Sequence, residues 1–503
     1  MKSMRLFLIG AMAWLSIAAF AQSQPLQRST PAAEGVEAKA VTQFFDSLMS
    51  IPQTEMHHVM VLRHGKVIGE LHPKPFQAND PHTLYSESKT FTAIAVGLCV
   101  DDKLLKVTDR VVSFFPDKLP EKISDNLAKM TLRDLLTMET GIKPDWNFRS
   151  NTKDWVRKYL SMPVSDAPGT KYQYDSMCTF LLSAIVQRVT GKTMMQLLNQ
   201  RVFGPMGIKD AEWEQSPDGI NTGGWGLRLS AESQAKVGQL LLQKGKWNGK
   251  QLISKKWVEE ASSRQVQPYE NGTAAHTKSP GYGYQIWMAE RPGSFRADGA
   301  LGQYVVVIPD KDMVVLINGV SFQTPFELKY IWTVLLPGVK NTSVAADDAQ
   351  HKNLQEFCAK AALPAPQGKS VDKKWYGKTI EIGGNKKILT LAFDQNGTLQ
   401  YHYDGRKVKS AFGKWQYEAS VQTPPYSIHP VDCFKGLKQE FTTASSYAWK
   451  GETLTIQTYW TDFISGETIT VRFVSGGKVL LTVQRNYDKK PITLDLLLLH
   501  NLK

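Results

Sequence analysis

Tyr85-Ser-Glu-Ser-Lys89-Thr-Phe-Thr-Ala-Ile-Ala-Val-Gly97 is the stretch on which the reading of the fold turns. Apolar residues recur at helical spacing from Phe91 and run on towards Asp101-Asp102. The spacing predicts an apolar helix over residues 90–105, with Ser86 and Lys89 at its opening. Helix residues three apart share a face. A serine hydroxyl is a weak nucleophile, but an amine kept neutral by burial or a neighbouring charge takes its proton. Such a pair needs no histidine. Ser-x-x-Lys recurs at Ser150, Ser233, Ser370 and Ser475, so the pattern alone has little specificity. Context separates them: only Ser86 follows a hairpin and a short loop and opens a long apolar helix.

Working outward, residues 57–72 read as a hairpin turning at His64-Gly65. Thr131-Leu-Arg-Asp134 is a capping-box start to a helix stopping at Gly141. Phe180–Val189 and Ser230–Leu242 are further helices, closed by Gly191 and Gly245. Residues 303–320 give two strands around Pro309-Asp-Lys-Asp312. Helices mixed with antiparallel hairpins predict an α+β domain over residues 22–345. Residues 346–372 hold a short helix and a Pro/Ala-rich linker. From 373 to 503 the pattern alternates apolar and polar with a turn every 8–12 residues. That predicts an all-β antiparallel barrel or sandwich.

Two more segments carry candidate chemistry. Tyr174-Asp175-Ser176 opens the apolar helix from Phe180, and a tyrosine there acts as base or relay if a nearby Lys⁺ depresses its pKa. Phe295-Arg-Ala-Asp-Gly299-Ala-Leu-Gly302 leads into the strand from Gln303. Glycine beside an edge strand admits substrate to the backbone, and a main-chain N–H there complements that of Ser86 as an oxyanion hole.

Taken in order, these elements resemble the serine β-lactamase and penicillin-binding superfamily, whose motifs are Ser-x-x-Lys, Tyr-x-Asn and Lys/His-Thr-Gly. The resemblance is to the class C-like branch, with its esterases, D-amino-acid peptidases and nylon-oligomer hydrolases. It runs from about residue 30 to 340. YSESKTFTAIAVG, KLLKVTDRVVSFFPD, TLRDLLTMETGI, PGTKYQYDS, GGWGLRLSAES and GYGYQIW all fall in the family's order. The resemblance implies a β-lactamase/transpeptidase-like fold and an acyl-enzyme on Ser86. Lys89 and Tyr174 would handle the protons, with the order of transfer open between them. The N–H groups of Ser86 and Ala300 would hold the oxyanion, and Ser176, Asp298 and Gly299 would meet substrate. Ser176 stands where the family has Asn, and Ala297-Asp298-Gly299 where it has Lys/His-Thr-Gly. The missing cation tilts the expectation from β-lactams and carboxypeptides towards an ester or uncharged amide. Strand alternation turns Arg296 away from that position. The alternatives are a β-lactamase or D-amino-acid peptidase, or a non-catalytic penicillin- or cell-wall-peptide-binding protein.

Met1-Lys-Ser-Met-Arg5, the apolar run Leu6–Phe20 and Ala19-Phe-Ala21 read as a signal peptide cut after Ala21, so the mature chain is expected outside the cytoplasm, in the periplasm. No later apolar stretch reaches the ~20 residues of a membrane helix. Net charge is +13, and residues 351–503 hold 21 Lys and Arg against 13 Asp and Glu. These lysines are scattered, with no basic run and no nucleic-acid motif, which argues against nucleic acid and favours a solvated basic surface; the C-terminal domain is expected to be either a contact for envelope polymers or a cap on the first domain. Cys99 and Cys178 read as buried thiols, and Cys358 and Cys433 are left open as a pair. Ser124-Asp-Asn126 and Gly191-Lys-Thr193 are set aside as chance motifs. So is His57-His58, because adjacent strand residues face opposite ways. No cofactor and no metal are expected.

Overall fold

A computed structural model describes residues 24–145, 147, 153–268, 279–428 and 433–501. The expected signal peptide lies outside these residues. The first part is built on a six-stranded antiparallel sheet. Its order is Lys66–Leu71, Thr54–Arg63, Met313–Ser321, Gln303–Ile308, Phe295–Gly299 and Trp287–Met288. Alternating Val, Ile and Leu give both faces something to bury. One face takes the helix Ala38–Met49 through Val41, Phe44, Phe45 and Leu48. The other takes the helix Ala231–Leu242 through Ala231 and Ala235. Beyond it lies the helical layer whose centre is Ser88–Asp101, buried continuously from Ser88 to Cys99.

Chain punctuation follows local chemistry. Thr131 caps Leu132–Leu136 in a capping box with Asp134, but that helix stops five residues before Gly141. Gly191 closes Ser176–Thr190 in the left-handed region, and Thr193 caps the next turn. Ser124 caps Asp125–Lys129. Ser124-Asp-Asn126 and Gly191-Lys-Thr193, two of the three motifs set aside, therefore mark helix ends. The helix Asp348–Lys360, expected within the linker, packs on the first sheet's helical face through Leu354, its one fully buried apolar residue.

The C-terminal part is a closed nine-stranded barrel. Thr379–Gly383 pairs with the last strand Ile492–Asn501, and Arg406–Phe412 closes on Phe441–Lys450 through Ala411–Ser446 and Phe412–Tyr447. Gln416–Ser420 lies outside the ring along Phe441–Lys450. Ile380, Leu389, Leu391, Leu454, Ile456 and Leu481 fill the interior. Closure is the feature that distinguishes a barrel from a sandwich, and it removes exposed edges.

The barrel docks on the first part. Arg228, 2% exposed, donates to Glu212 Oε2 at 3.0 Å and to the carbonyl of Asp462, and stands over the rings of Phe441 and Phe463. The Tyr459 hydroxyl donates to Glu55 Oε1 at 2.8 Å, and Asn486 to Glu55 Oε2 at 3.0 Å.

Beside this seam the expected divergence of His57 and His58 is overturned. A bulge between Met56 and His58 breaks the alternation, and both rings converge on Phe76. His57 Nδ1 lies 2.9 Å from His82 Nε2, and His58 Nδ1 2.9 Å from His72 Nδ1. Among the described residues no three His, Cys, Asp or Glu are arranged to hold a metal. None of the four cysteines is in a disulfide, and Cys358 and Cys433 are half-buried. No helix among the described residues is long and apolar enough to cross a membrane.

Candidate active site

After the strand His82–Thr83 the chain makes a 3-10 turn over Tyr85–Glu87 and enters the helix Ser88–Asp101. Tyr85 takes φ 47°. Ser86 thus stands on a sharp turn just before the helix, half-buried, with Lys89 2% exposed beneath it. Lys89 Nζ lies 2.9 Å from Ser86 Oγ, 2.8 Å from Ser176 Oγ and 2.7 Å from the Gly224 carbonyl. All three partners are neutral. Burial draws the lysine from 10.5 down to about 7, against the opposing pull of Cys178, Asp175 and Asp298. Near neutral pH much of it is free amine. A free amine has two N–H groups and one lone pair. The N–H groups satisfy Ser176 and Gly224, which leaves the lone pair for the Ser86 hydroxyl to donate into. The arrangement suits proton transfer from Ser86 to Lys89.

Two backbone features make this possible. Ser176 is the first residue of the Ser176–Thr190 helix, capped by the Asp175 carboxylate, which accepts from Met177 N–H at 2.8 Å and from the Tyr159 hydroxyl at 2.9 Å. Gly224 presses so close that a Cβ on it would lie 2.6 Å from the Ser176 carbonyl oxygen. Ser176, expected to meet substrate, is 2% exposed and faces the amine instead.

Tyr174 is half-buried, hydrogen-bonds Ser86, and lies with its ring centroid 4.7 Å from Lys89 Nζ. Burial pushes its hydroxyl above the usual phenol range, helped by Asp298 and Cys178. Burial outweighs the opposing hydrogen bond from Ser86, so Tyr174 is a neutral phenol rather than a phenolate. Its ring stacks on Trp287 at 5.8 Å and 27°, and Tyr172 and Tyr282 meet Trp287 edge-on. Neither Gly224 nor Trp287 carried a role in the sequence reading. Both sit in segments matching the family's order, GGWGLRLSAES and GYGYQIW, and that was their only signal.

The Gly-rich strand edge closes the site. The Tyr85–Glu87 turn packs against Phe295–Gly299, and a Cβ on Gly299 would lie 2.3 Å from the Leu84 carbonyl. Ala300, next along, is exposed. Ala297 packs into the core with Ala231, Ala235 and Val305. Arg296 comes nearer the site than alternation suggested. Its guanidinium lies 6.0 Å from the Trp287 ring centroid, but it is engaged by Asp298 Oδ2 at 2.9 Å and the Met288 carbonyl at 2.8 Å. Glu87 is fully buried without a hydrogen-bond partner, and burial, with Asp298 nearby, holds its carboxyl well above the usual range.

Known proteins share this frame. A 6-aminohexanoate-dimer hydrolase of Paenarthrobacter ureafaciens is 24% identical over 310 residues, covering 57% of this chain and 79% of its own. A D-aminopeptidase of Brucella anthropi is 26% identical over 169 residues, 30% of each chain. The solved structure of a penicillin-binding protein homolog from Caulobacter crescentus superposes with a TM-score of 0.51 at 15% identity, over 61% of this chain and 99% of its own, and shows the fold alone. The Beta-lactamase family matches residues 41–353, a span that takes in Ser86, Lys89, Tyr174 and the Gly299 edge. That span is more than half of the molecule, and the chain belongs to the Beta-lactamase family.

Proposed function

We propose that the chain is an exported serine hydrolase that cleaves an ester or amide through an acyl-enzyme on Ser86. The observation that carries this reading is the buried, charge-depleted Lys89 amine 2.9 Å from Ser86 Oγ. Ser86 Oγ attacks the substrate carbonyl as its proton passes to Lys89 Nζ. The carbonyl oxygen becomes an oxyanion held by the N–H groups of Ser86 and Ala300. As the tetrahedral adduct collapses, the bond to the leaving group breaks, and that group takes the Lys89 proton by way of the Tyr174 hydroxyl. Water then attacks the ester on Ser86, giving its proton back along the same path, and releases acid and free serine. A general base is worth roughly 10²–10⁴-fold, and one oxyanion donor about 10²–10³-fold.

The substrate follows from what the site lacks. Ala297 supplies no charge, and the Arg296 guanidinium is spent on Asp298. Neither position offers a free cation to select a carboxylate, so an ester or uncharged amide fits better than a β-lactam. The relative named for a 6-aminohexanoate dimer supports the amide side of that class. The N-terminal leader-like sequence supports export to the periplasm, and the basic excess after residue 350 supports contact between barrel and anionic envelope polymer.

The test is intact mass after treatment with a fluorophosphonate, wild type against Ser86→Ala, with turnover of a p-nitrophenyl ester, a p-nitroanilide and a chromogenic cephalosporin. One adduct on wild type, none on the variant and turnover of ester or anilide are expected. No adduct on folded wild type would sink the reading, and faster cephalosporin turnover would overturn the substrate class.

A further inference from the structure

The two backbone donors proposed for the oxyanion each adjoin a residue in the left-handed region. Tyr85, before Ser86, has φ 47°, and Leu301, after Ala300, has φ 64°. Side chains other than Gly, Asn or Asp rarely adopt this conformation, and it costs on the order of 1–3 kcal/mol per residue unless the surroundings impose it. Here the surroundings come from the other end of the chain. Tyr85 and Val320 are buried in one apolar cluster with Tyr426, Leu437, Phe441, Trp460, Phe463 and Ile464, and Leu301 packs against it. Phe441, Trp460, Phe463 and Ile464 lie on barrel strands or the turn between them, and Tyr426 and Leu437 lie between the strands Gln416–Ser420 and Phe441–Lys450. The Tyr85 ring stacks on Tyr426 at 6.1 Å and 27°, and Tyr426 meets Phe463 edge-on at 5.0 Å. The Tyr85 hydroxyl lies 2.7 Å from Ser427 Oγ. On the strand side, the Leu301 carbonyl accepts from Ser321 N–H at 2.9 Å.

We propose that the barrel is a positioning element of the active site: Tyr426, Ser427 and Phe463 hold Tyr85 and Leu301 in conformations that aim the Ser86 and Ala300 N–H groups at one oxyanion. This rests on the acyl-enzyme reading and gives the C-terminal part a role in the reaction as well as any role in binding. The positioning residues touch no substrate. Their loss relaxes the two strained residues and moves the donors, so it weakens transition-state stabilisation more than ground-state binding.

The test compares Ser427→Ala, Tyr85→Phe and their double variant in p-nitrophenyl ester hydrolysis by the full chain. Ser427 is exposed, so its substitution does not threaten folding. Each single variant is expected to lower kcat about three- to tenfold with KM unchanged, as for one lost hydrogen bond. The double variant should be no worse than the poorer single, and Ser427→Thr should recover most of the loss. Phe463→Leu, shown folded by thermal melting, should also lower kcat at constant KM. Unchanged kcat in all of these, or a rise in KM alone, would overturn the proposal. Fluorophosphonate labelling of wild-type Ser86 separates the two readings. Labelling with unaffected variants defeats only the positioning role, whereas no labelling defeats the acyl-enzyme on which it depends.

Discussion

Two cations, Lys89 and Arg228, are each 2% exposed, and the protein uses them in opposite ways. Arg228 lies at the seam with two carboxylates, Glu212 at 3.0 Å and Asp462 at 3.8 Å, and with two aromatic faces. Lys89 lies under Ser86 with two hydroxyls and a carbonyl for partners. A buried charge with compensating charges is a fastening. A buried charge with only neutral acceptors gives up its proton more readily, which is what the proposed mechanism asks of a base. The difference lies in what surrounds each group, because burial is the same.

Lys89→Met strains this comparison most. Acylation is expected to fall by roughly 10²–10⁴-fold, the span of a lost general base. Stability should move the other way. The unfolded lysine holds its proton up to 10.5 and the folded one only to about 7, so folding below that range places a charge where burial disfavours it. Removing the amine should therefore stabilise the protein at pH 7 and below, with the gain shrinking as pH rises from 7 to 10.5. Urea unfolding at pH 6 and pH 10 reads it directly.

Arg228→Met is the complement. It leaves the buried Glu212 and the largely covered Asp462 without their arginine at the seam, where desolvation already lifts Asp462 to about 6, and should cost about 3–5 kcal/mol. A loss below about 1 kcal/mol, the worth of an exposed pair, would mean that the seam does not depend on it.

Much of this was legible in advance, and the gaps have physical causes. Apolar periodicity from Phe91 and the order of six segments were enough for the first fold, and the alternation with a turn every 8–12 residues after 373 for a β-rich end. Four strands of the C-terminal part carry no such signal. Arg406–Phe412 alternates Lys with small residues, Gln416–Ser420 is polar, Phe441–Lys450 is rich in Ser and Thr, and Ile492–Asn501 carries a continuous leucine run. None shows clean alternation of apolar and polar residues. Barrel closure depends on one parallel contact between distant strands, which no local pattern encodes. In the site, Ser86 and Lys89 stand out by context, as the Ser-x-x-Lys pair that opens a long apolar helix. Gly224 and Trp287 do not, because a carbonyl aimed at an amine and a ring beneath a tyrosine are products of tertiary packing. The His57-His58 reading failed at a bulge, where the two-residue period itself breaks.

That histidine cluster offers a smaller contrast at the same seam. Burial holds His57, His58 and His82 below the usual 6.5, so all are uncharged in the folded protein. The unfolded chain takes up their protons near 6.5, so stability should decline as pH drops below about that value. Melting temperature between pH 7 and pH 5 should fall, and His58→Phe should flatten the slope. The smallest expected effect is that of Glu87→Gln. Its carboxyl is held neutral beside Ser86, so the amide replaces like with like. Activity should hold, and stability should change by less than about 1 kcal/mol. A large loss of turnover would show that the proton of Glu87 takes part.

The central claim is that Lys89 acts as a neutral amine. The most direct measurement is the rate of fluorophosphonate acylation of Ser86 from pH 5 to pH 9, followed by intact mass. The rate should climb through an inflection near pH 7, as the amine loses its proton. A rate flat across that range, or still climbing at pH 9, would contradict the account.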